Sequence, residues 1–522
     1  MTNASHTLIH HFLENSAKGR PDKVAFIHES VRATYHQINK WSNQVANRLL
    51  DEGISPGDRV VLLLENCVEY VAGYYGILKA GAVAVPLSNE LKDYGLQVLL
   101  QQLQPKAIIS SAKMVEILLE KNQGMLNVDL FILKECHHKI LSASTPIVHF
   151  AEVLTNGTDT EPDVPIDDKE LACIIYTSGS TGVPKGVMLS HRNIVSNTHS
   201  IIQYLELTDA DKQMVVLPFY YVMGKSLLNT HFAVGGTVVV NNKFAFSANI
   251  LEQMVLEEVT GFSGVPSTYA YLLHRSPLAA YRGKLRALRY CSQAGGHMSK
   301  QIKEELLRVL PAHTKLYIMY GATEAAARLT YVEPEHLSDK IESIGIPIPG
   351  VKMAVLDENG DEVATGKTGE LVAKGQNIMI GYWWDDTGKS LDGNGYHTGD
   401  LGYKDEDGYY FVTGRKDNLL KIGGHRINPQ EIEDVLMETK VLLEAMVLGM
   451  PDEMLGHRLI AIVTPVYDQC SENDVLSSCL HKLPRYKLPR AVKLVKSLPK
   501  TPNGKIDRVK CMELAVASEL NG

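Results

Sequence analysis

The residues from Tyr176 to Gly186, YTSGSTGVPKG, have the composition of a loop that binds phosphate. The glycines and small hydroxyl side chains offer backbone and side-chain hydrogen-bond donors, and no bulky group keeps an anion away. Lys185 adds a full positive charge. Apolar runs at 173–175 and 187–189 flank the loop and predict a strand on each side of it. The chemistry that this stretch favours is the binding of phosphate groups.

This stretch is not a P-loop. A P-loop has a glycine, four residues and then Gly-Lys-Ser/Thr, whereas Lys185 stands between Pro184 and Gly186. The Gly-Lys-Ser/Thr tripeptides elsewhere in the chain lack the glycine that should stand five positions earlier. Taken by itself, the stretch also fits a solvated Ser/Gly hairpin, so its interpretation depends on the rest of the chain.

Four further stretches place charged and hydroxyl residues beside glycine. They are YGATE at 320–324, YHTGD at 396–400, GRKD at 414–417 and NGKIDR at 503–508. In their order and spacing, these stretches and the first loop resemble the motifs of the adenylate-forming superfamily. That superfamily includes acyl-CoA synthetases, adenylation domains of peptide synthetases and beetle luciferases. The resemblance covers nearly the whole chain and is most like the AMP-forming acyl-CoA synthetases.

The resemblance implies an enzyme that activates a carboxylic acid with ATP. A carboxylate cannot acylate a thiol directly, because its carbonyl carries negative charge and would have to expel oxide. Its attack on the α-phosphorus of ATP instead gives an acyl-adenylate and pyrophosphate, and a thiol then receives the acyl group as a thioester. The implied cofactors are ATP, Mg²⁺ and CoA, or the phosphopantetheine arm of a carrier protein in place of CoA. Fatty acid metabolism is the expected setting.

Two other classes of function stay open at this point. A luciferase-like oxidase would use the same adenylate with oxygen, and a catalytically inactive module would bind an acyl group without the reaction. Lys505, Glu324 and Asp400 are all present, which argues against the inactive module.

The resemblance also implies roles for single residues. Lys505, Thr323 and Lys185 are the expected catalytic residues, with Lys505 offsetting the charges of the substrate carboxylate and the α-phosphate. Glu324 is the expected ligand of Mg²⁺, which prefers hard oxygen donors. The expected nucleotide-binding residues are Thr177, Ser178, Gly179, Ser180, Thr181, Gly182, Lys185, Gly295, Gly296, Tyr320, Gly321, Thr323, Asp400 and Arg415.

Some of these residues also have ordinary alternative explanations. Thr323 and Glu324 fit a helix N-cap with an acidic first turn. Asp400 is expected in a tight turn, where it accepts hydrogen bonds from the ribose hydroxyls with Arg415 assisting. An aspartate after a glycine is also often a plain turn residue. Lys505 also fits a solvated surface charge.

The second half-reaction requires a rearrangement of the protein in this superfamily. By resemblance, Asp417 is the hinge about which a small C-terminal domain rotates after adenylation. Gly423 and Gly424 match the loop that lines the channel for the thiol in the rotated state.

The acyl pocket is expected at Tyr221, Met223 and Val265. Many acyl-CoA synthetases have a histidine at the position of Tyr221, so histidine-dependent steps are in doubt here. Members that activate amino acids have an aspartate near the start of the following helix, but residues 217–231 contain no acid. A buried substrate ammonium would lack its partner at a cost of several kcal/mol. We therefore expect an acid with an uncharged, largely apolar body, of open chain length and aromaticity.

The composition is that of a globular protein with more than one domain. The chain has 522 residues, 45% of them hydrophobic and 21% charged, which is too long for a single ordinary core. Its net charge of -8 gives no basic surface for nucleic acid. Seven scattered cysteines without a Cys-x-x-Cys pair favour neither a disulfide framework nor a zinc site. The chain shows neither a signal-peptide pattern nor an apolar run of about 18 residues, so a cytoplasmic protein without a transmembrane segment is expected.

Alternating apolar patterns predict an α/β fold near the start of the chain. Helical periodicity over 34–50 is followed by an apolar run at 59–64, a second helical pattern at 68–78 and a second apolar run at 82–87. Strand, helix and strand in this order predict parallel βαβ layers.

The texture of the sequence changes after about residue 345. Short apolar segments separated by Gly, Asp and Asn turns predict a β-rich subdomain over about 345–415. We therefore expect a large N-terminal domain over 1–415, which includes this subdomain, and a small mobile α+β domain over 417–522 with Asp417 as the hinge.

Overall fold

The computed structural model of the chain describes most of its residues. They are 7–89, 93–122, 128–134, 145–177, 184–244, 246–384, 390–422, 425–439, 441–452, 455–467, 469–480, 482–501 and 504–519. Residues 178–182 of the expected phosphate loop, Ser178, Gly179, Ser180, Thr181 and Gly182, lie outside the described residues, as do Gly423 and Gly424 of the expected thiol channel.

Helices and strands alternate through the first two thirds of the chain. The helices are α1 (His11–Gly19), α2 (Tyr35–Asp51), α3 (Val68–Lys79), α4 (Asp93–Leu103), α5 (Ala112–Asn122), α6 (Phe150–Asn156), α7 (His191–Leu205), α8 (Val222–Val234), α9 (Ser247–Leu256), α10 (Pro266–Arg275), α11 (Leu278–Tyr281), α12 (Lys300–Val309), α13 (Pro429–Met437), α14 (Glu472–Cys479) and α15 (Arg508–Glu519).

The strands become denser and the helices rarer between residues 315 and 427. The strands are β1 (Val24–His28), β2 (Val31–Thr34), β3 (Arg59–Leu63), β4 (Val83–Pro86), β5 (Ala107–Ser111), β6 (Leu130–Lys134), β7 (Ile147–His149), β8 (Leu171–Thr177), β9 (Lys185–Ser190), β10 (Lys212–Val215), β11 (Thr237–Val240), β12 (Gly261–Gly264), β13 (Tyr290–Gln293), β14 (Lys315–Tyr320), β15 (Thr330–Val332), β16 (Ile346–Pro347), β17 (Val351–Leu356), β18 (Gly369–Gly375), β19 (Gly381–Trp383), β20 (Leu391–Asp392), β21 (Gly395–Lys404), β22 (Tyr410–Arg415), β23 (Leu420–Ile422), β24 (His425–Ile427), β25 (Leu442–Asp452), β26 (Gly456–Pro465) and β27 (Ala491–Leu494).

The large domain contains two sheets, each with a parallel centre. Sheet I has the strand order β19-β9-β8-β4-β3-β5-β6-β7, in which β4, β3, β5 and β6 are parallel. Helix α3 joins β3 to β4, so the βαβ unit predicted from the sequence is confirmed. Sheet II has the order β16-β15-β14-β13-β12-β10-β11-β1-β2, in which β11, β10, β12, β13 and β14 are parallel.

Helices α2, α3 and α8 pack against one another within the core of the large domain. Helix α2 begins where it does because Thr34 and Gln37 form a capping box, each side chain accepting from the other residue's backbone N–H. Tyr75 of α3 stacks on Phe232 of α8 with ring centres 5.6 Å apart, and both rings are buried. Large aromatic rings dominate the energetics of such cores, so this contact fixes α8 relative to the first βαβ unit.

The carboxyl ends of β12, β13 and β14 lie side by side in sheet II. Gly264 pairs with Gln293, and Gln293 pairs with Ile318. Ligands of open α/β sheets bind outside the carboxyl ends of the strands. The loops that follow these three strands therefore meet at one edge, which is the edge where a ligand site is expected.

Two smaller sheets follow along the chain. Sheet III is antiparallel, with β17-β18-β21-β20 in order and β22 also paired with β21. Sheet IV has the order β25-β26-β27, and α13 packs on β25. The predicted fold class is confirmed, with a large α/β domain, a β-rich subdomain and a small C-terminal α+β domain. The mobility of the small domain, its boundary near Asp417 and a cytoplasmic location stay predictions.

The part of the chain that the structure describes contains no helix that is both long enough and apolar enough to cross a membrane.

The small domain buries a carboxyl group between α13 and β25. The Glu433 side chain accepts a hydrogen bond of 2.8 Å from the backbone N–H of Val447. Burial raises the pKa of Glu433 from 4.5 to about 7, while the nearby charge of Arg508 opposes that shift and that of Asp434 adds to it. The folded state therefore favours the protonated acid, which makes the stability of this domain depend on pH.

We predict that the small domain loses stability as the pH rises from about 4.5 to about 7. A carboxyl group with a raised pKa in the folded state adds stability that is fully present below its unfolded-state pKa. This stability is lost as the pH rises through the folded-state pKa, and here it amounts to about 1–3 kcal/mol. Glu433→Gln keeps the acceptor and should flatten this dependence in urea unfolding at several pH values. Glu431→Gln, on the exposed side of the same helix, should leave it unchanged. A wild-type profile as flat as that of Glu433→Gln would contradict the prediction.

Candidate active site

The expected phosphate loop joins the two strands of a hairpin in sheet I. Strands β8 and β9 are antiparallel, and Thr177 is the register partner of Lys185. Helix α7 begins directly after β9 with a capping box between Ser190 and Asn193, which fixes the end of the hairpin. The Lys185 ammonium lies 4.9 Å from the centre of the Tyr382 ring in β19, the neighbouring strand. The hairpin is thus joined to the strand that leads from sheet III.

Glu324 lies on a short turn directly after β14. Residues Thr323–Ala325 form one 3₁₀ turn, and the chain then passes through Ala326 at φ 53° and Ala327 at φ 124°. Left-handed backbone at non-glycine residues is strained and concentrates at functional sites. The alternative of a helix N-cap at Thr323 and Glu324 is wrong, because no α-helix follows. The turn ends at Ala325, and the chain leads into strand β15.

A hydrogen bond ties the Glu324 turn to the hairpin. The Tyr382 hydroxyl donates to Glu324 Oε1 at 2.8 Å, and the backbone N–H of Met379 donates to the Glu324 carbonyl at 2.8 Å. Tyr382 thus contacts both Lys185 and Glu324. A carboxylate held at a sheet edge beside the hairpin that is expected to bind phosphate fits the hard oxygen donor that Mg²⁺ prefers.

Asp400 forms a partly buried polar cluster with Tyr320 and Arg415. The Tyr320 hydroxyl donates to Asp400 Oδ2 at 2.5 Å, and Arg415 Nε lies 3.3 Å from Asp400 Oδ1. Burial raises the pKa of the Asp400 carboxyl, and the charge of Arg415 opposes that rise. The expected turn at Asp400 is wrong: it lies inside the long strand β21, directly opposite Arg415 of β22. Strand pairing thus holds the two side chains together.

Lys505 of the small domain reaches the large domain beside Gly295. A Cβ placed on Gly295 would stand 2.8 Å from the Tyr221 hydroxyl, 3.3 Å from Val265 Cγ1 and 3.6 Å from Lys505 Cε. The Lys505 ammonium lies 5.6 Å from the centre of the Tyr221 ring. Its charge is also close enough to lower the pKa of Asp400. Lys505 is therefore an exposed residue of the small domain whose side chain contacts the large domain.

The Gly504 carbonyl fixes this contact between the domains. It accepts a hydrogen bond of 2.6 Å from the Ser267 hydroxyl at the start of α10. Asp434 of α13 adds a polar contact to the large domain, with His297 Nε2 2.7 Å from Asp434 Oδ1. A cavity of about 250 Å³ lies between these contacts, lined by residues that include Gly295, Gly296 and Lys505.

Of the three residues expected at the acyl pocket, two come together. Tyr221 and Val265 both lie against Gly295. Met223 is buried near the start of α8, and the described contacts do not join it to Gly295 or Lys505.

The sequence analysis did not identify three residues of this region. Tyr382 contacts both Lys185 and Glu324, and no motif around it in the sequence indicates these contacts. Lys225 is buried, donates to the Tyr70 hydroxyl at 2.6 Å and lies 3.6 Å from the centre of the Tyr74 ring. Burial lowers the pKa of Lys225 to about 7. Arg328, directly after the strained alanines, is also buried, which charge and spacing alone do not reveal.

The sequence profile of the AMP-binding enzyme family matches residues 13–383, and that of the AMP-binding enzyme C-terminal domain matches residues 431–505. The chain belongs to the AMP-binding enzyme family. Its relatives in that family include the long-chain-fatty-acid–CoA ligase of Bacillus subtilis (strain 168), which is 31% identical over 96% of this chain and 93% of that protein. They also include a feruloyl-CoA synthase of an Amycolatopsis species, 30% identical over 94% of this chain and 95% of that protein.

Solved structures of AMP-binding enzymes share the whole fold. ATP-bound MatB from Rhodopseudomonas palustris matches with a TM-score of 0.86 and 25% identity, over 98% of this chain and 99% of that one. The anthranilate CoA ligase AuaEII in complex with anthranoyl-AMP matches with a TM-score of 0.88 and 24% identity, over 98% of both chains. The likeness to AuaEII concerns the fold alone.

We predict that Gly321→Ala disrupts the turn that carries Glu324 in this AMP-binding enzyme. A Cβ at Gly321 would stand 2.1 Å from the Ala327 carbonyl oxygen, so the backbone must move. We expect a loss of about 2 kcal/mol or more in the free energy of unfolding by urea. Gly296→Ala, whose Cβ would meet Pro266 at 3.4 Å, should cost much less. Equal effects of the two substitutions would show that Gly321 is not held by close packing.

Proposed function

We propose that this AMP-binding enzyme is an AMP-forming acid–thiol ligase that converts a carboxylic acid to its acyl-adenylate and then to a CoA thioester. The observation that carries this proposal is the contact of Lys505 with Gly295 and Tyr221, within range of the charge of Asp400. A cation between the nucleotide side and the acid side of a cleft suits a reaction that joins two anions. The relatives named as CoA ligases support CoA, and not a carrier protein, as the acceptor.

The nucleotide is assigned to the edge formed by the hairpin and the loops after β13 and β14. Thr177, Lys185 and the residues between them bind the β- and γ-phosphates, and Thr323 contacts the α-phosphate. Asp400 accepts hydrogen bonds from the ribose hydroxyls, and its ion pair with Arg415 opposes the rise in pKa that burial causes. The adenine lies against Gly295 and Gly296 on one side and against Tyr320 and Gly321 on the other. The expected nucleotide-binding residues are thereby assigned as one set.

Glu324 is the residue that would hold Mg²⁺. The ion neutralises phosphate charge when it is bound, which lowers the repulsion between ATP and the incoming carboxylate. Tyr382 orients the Glu324 carboxylate for this role through its hydrogen bond to Oε1.

In adenylation, a carboxylate oxygen of the acid attacks the α-phosphorus of ATP. The bond from that phosphorus to the bridging oxygen breaks, and pyrophosphate leaves with the electron pair. Lys505 donates to the oxygens of both reacting anions and stabilises the charge that accumulates between them. Lys505, Thr323 and Lys185 are the residues proposed to act on the reacting groups.

Thioester formation requires a thiol to reach the acyl carbon where Lys505 now stands. We assign the required movement to Asp417, which lies in the short turn Lys416–Asn418 between β22 and the small domain. Gly423 and Gly424 are assigned to the thiol channel by resemblance. The thiolate attacks the acyl carbon, the bond to the phosphate oxygen breaks, and AMP leaves.

The proposal is tested by pyrophosphate release with a panel of medium-chain fatty acids, aryl acids, dicarboxylic acids and common amino acids. CoA, a carrier protein or no thiol is added, and each reaction is run with and without oxygen. We expect release with at least one non-amino acid, and formation of its CoA thioester without oxygen. Dependence on oxygen would favour an oxidase, and an absence of release with every acid would overturn the proposal.

We predict that Lys505→Ala lowers the rate of adenylation by more than tenfold, which is a loss of at least 1.36 kcal/mol in the transition state. ATP binding should change little, because most of the proposed nucleotide contacts lie in the large domain. Lys496→Ala, at an exposed lysine of the same domain, is the matched control. Adenylation by Lys505→Ala at more than about a tenth of the wild-type rate would remove Lys505 from the proposed role.

We predict that Asp417→Pro keeps adenylation and stops thioester formation. Proline fixes φ, and a hinge must change its backbone angles between the two half-reactions. Pyrophosphate release and thioester formation are measured separately, and Asp417→Ala, which leaves φ free, should support both. Parallel loss of the two steps in Asp417→Pro would show that the pivot lies elsewhere or that the small domain misfolds.

A further inference from the structure

Arg328 is a buried cation without a buried anion beside it. Its side chain is 2% exposed, and among the described residues no carboxylate pairs with it. The guanidinium Nη1 donates to the Ala327 carbonyl at 3.2 Å, and the Tyr204 hydroxyl accepts a further hydrogen bond from it. These partners are neutral. Burying an unpaired charge costs several kcal/mol, so this arginine is expensive to keep for stability alone.

Arg328 also has an unused hydrogen-bond donor. Within the described part of the chain, its buried Nε has no acceptor, although the carbonyl of the same residue is fully engaged. Asn197 and Asn377 both donate to that carbonyl, at 2.9 Å and 3.1 Å. The backbone of Arg328 is therefore held firmly, while its charged group still lacks one acceptor and a countercharge. A buried water could accept from Nε, but it could not neutralise the charge.

Arg328 follows the Glu324 turn, and its Cα would stand 2.7 Å from a Cβ placed on Gly321. Tyr221, whose hydroxyl approaches Gly295 and whose ring lies beside Lys505, is close enough to Arg328 to influence its charge. Ala325, Ala326 and Ala327 precede Arg328 and are small and buried. Arg328 is thus buried in the large domain close to Tyr221, whose ring also lies beside Lys505.

Resting on the proposed function, we propose that Arg328 determines substrate specificity by binding a second anionic group, a carboxylate, at the far end of the acid. The reacting carboxylate lies at Lys505, the body of the acid passes Tyr221, and the second carboxylate supplies the countercharge and the acceptor that Arg328 lacks. Guanidinium and carboxylate form strong, directional pairs in such desolvated sites. This revises the expectation of a wholly uncharged acid, which was drawn from residues 217–231 and did not include Arg328.

The substrate class is therefore a dicarboxylic acid, aliphatic or aromatic. A free amino acid stays excluded, because its ammonium would face the buried guanidinium of Arg328 without an acid to pair with. A simple fatty acid would leave Arg328 as unpaired as it is without ligand, and would gain nothing from it.

The test compares each dicarboxylic acid with its monomethyl ester and with the monocarboxylic acid of equal length, as kcat/KM for pyrophosphate release. We expect the wild type to prefer at least one dicarboxylic acid over both analogues by tenfold or more. Arg328→Met should lose that preference by at least tenfold while keeping the rate with the monocarboxylic acid. Arg328→Lys, which keeps the charge, should retain part of the preference for the dicarboxylic acid. Arg308→Met, at an exposed arginine of α12, should leave that preference unchanged.

A structural role for Arg328 gives a different pattern. If Arg328 only stabilises the fold, Arg328→Met should have a lower Tm and an equal loss of kcat/KM with all acids. Either result overturns the inference. We expect the Tm of Arg328→Met without ligand to be unchanged or higher, because an unpaired buried charge is removed. The wild-type panel decides the matter even if the variant fails to fold, since a wild type without any preference for a dicarboxylic acid also overturns the inference. Failure of the wild type with every acid would instead overturn the proposed function itself.

Discussion

The active site depends on one constraint, which is that neighbouring parallel strands end at the same edge of a sheet. Strands β12, β13 and β14 are in register, so the residues that follow them are brought together although they are far apart in sequence. Val265 follows the first strand, Gly295 the second, and Glu324 the third. Backbone hydrogen bonds of sheet II thus set the positions of groups that must act on one nucleotide and one acid.

Other elements of the chain are attached to this edge by single polar contacts. Tyr382 contacts both Lys185 and Glu324 and so joins the phosphate hairpin of sheet I to the turn after β14. Tyr320 donates to Asp400 and joins β14 to sheet III. Lys505 brings in the small domain. These polar contacts suit a site whose parts must separate between two half-reactions.

Three charged groups in this protein are neutralised to different degrees. Asp400 is partly buried and paired with Arg415, so the cost of its partial desolvation is offset in the protein itself. Lys225 lies against tyrosine rings, and its pKa falls to about 7. Arg328 has neither a carboxylate partner nor a full set of acceptors among the described residues. These three groups differ in how far the protein neutralises their charge. A charge that the protein leaves without a countercharge is one that a ligand can neutralise.

The sequence by itself determined the fold class and the family, because both depend on local patterns. Apolar periodicity predicted α2, α3 and the strands around them, and short motifs at 176–186, 320–324 and 503–508 carried the resemblance on which the reaction rests. Tertiary structure alone decided which side chains meet. It placed Asp400 in a strand opposite Arg415 where a turn was expected, and it buried Arg328 where no carboxylate of the described residues pairs with it. Burial and pairing depend on residues distant in the chain, so no local pattern around either residue could have predicted them.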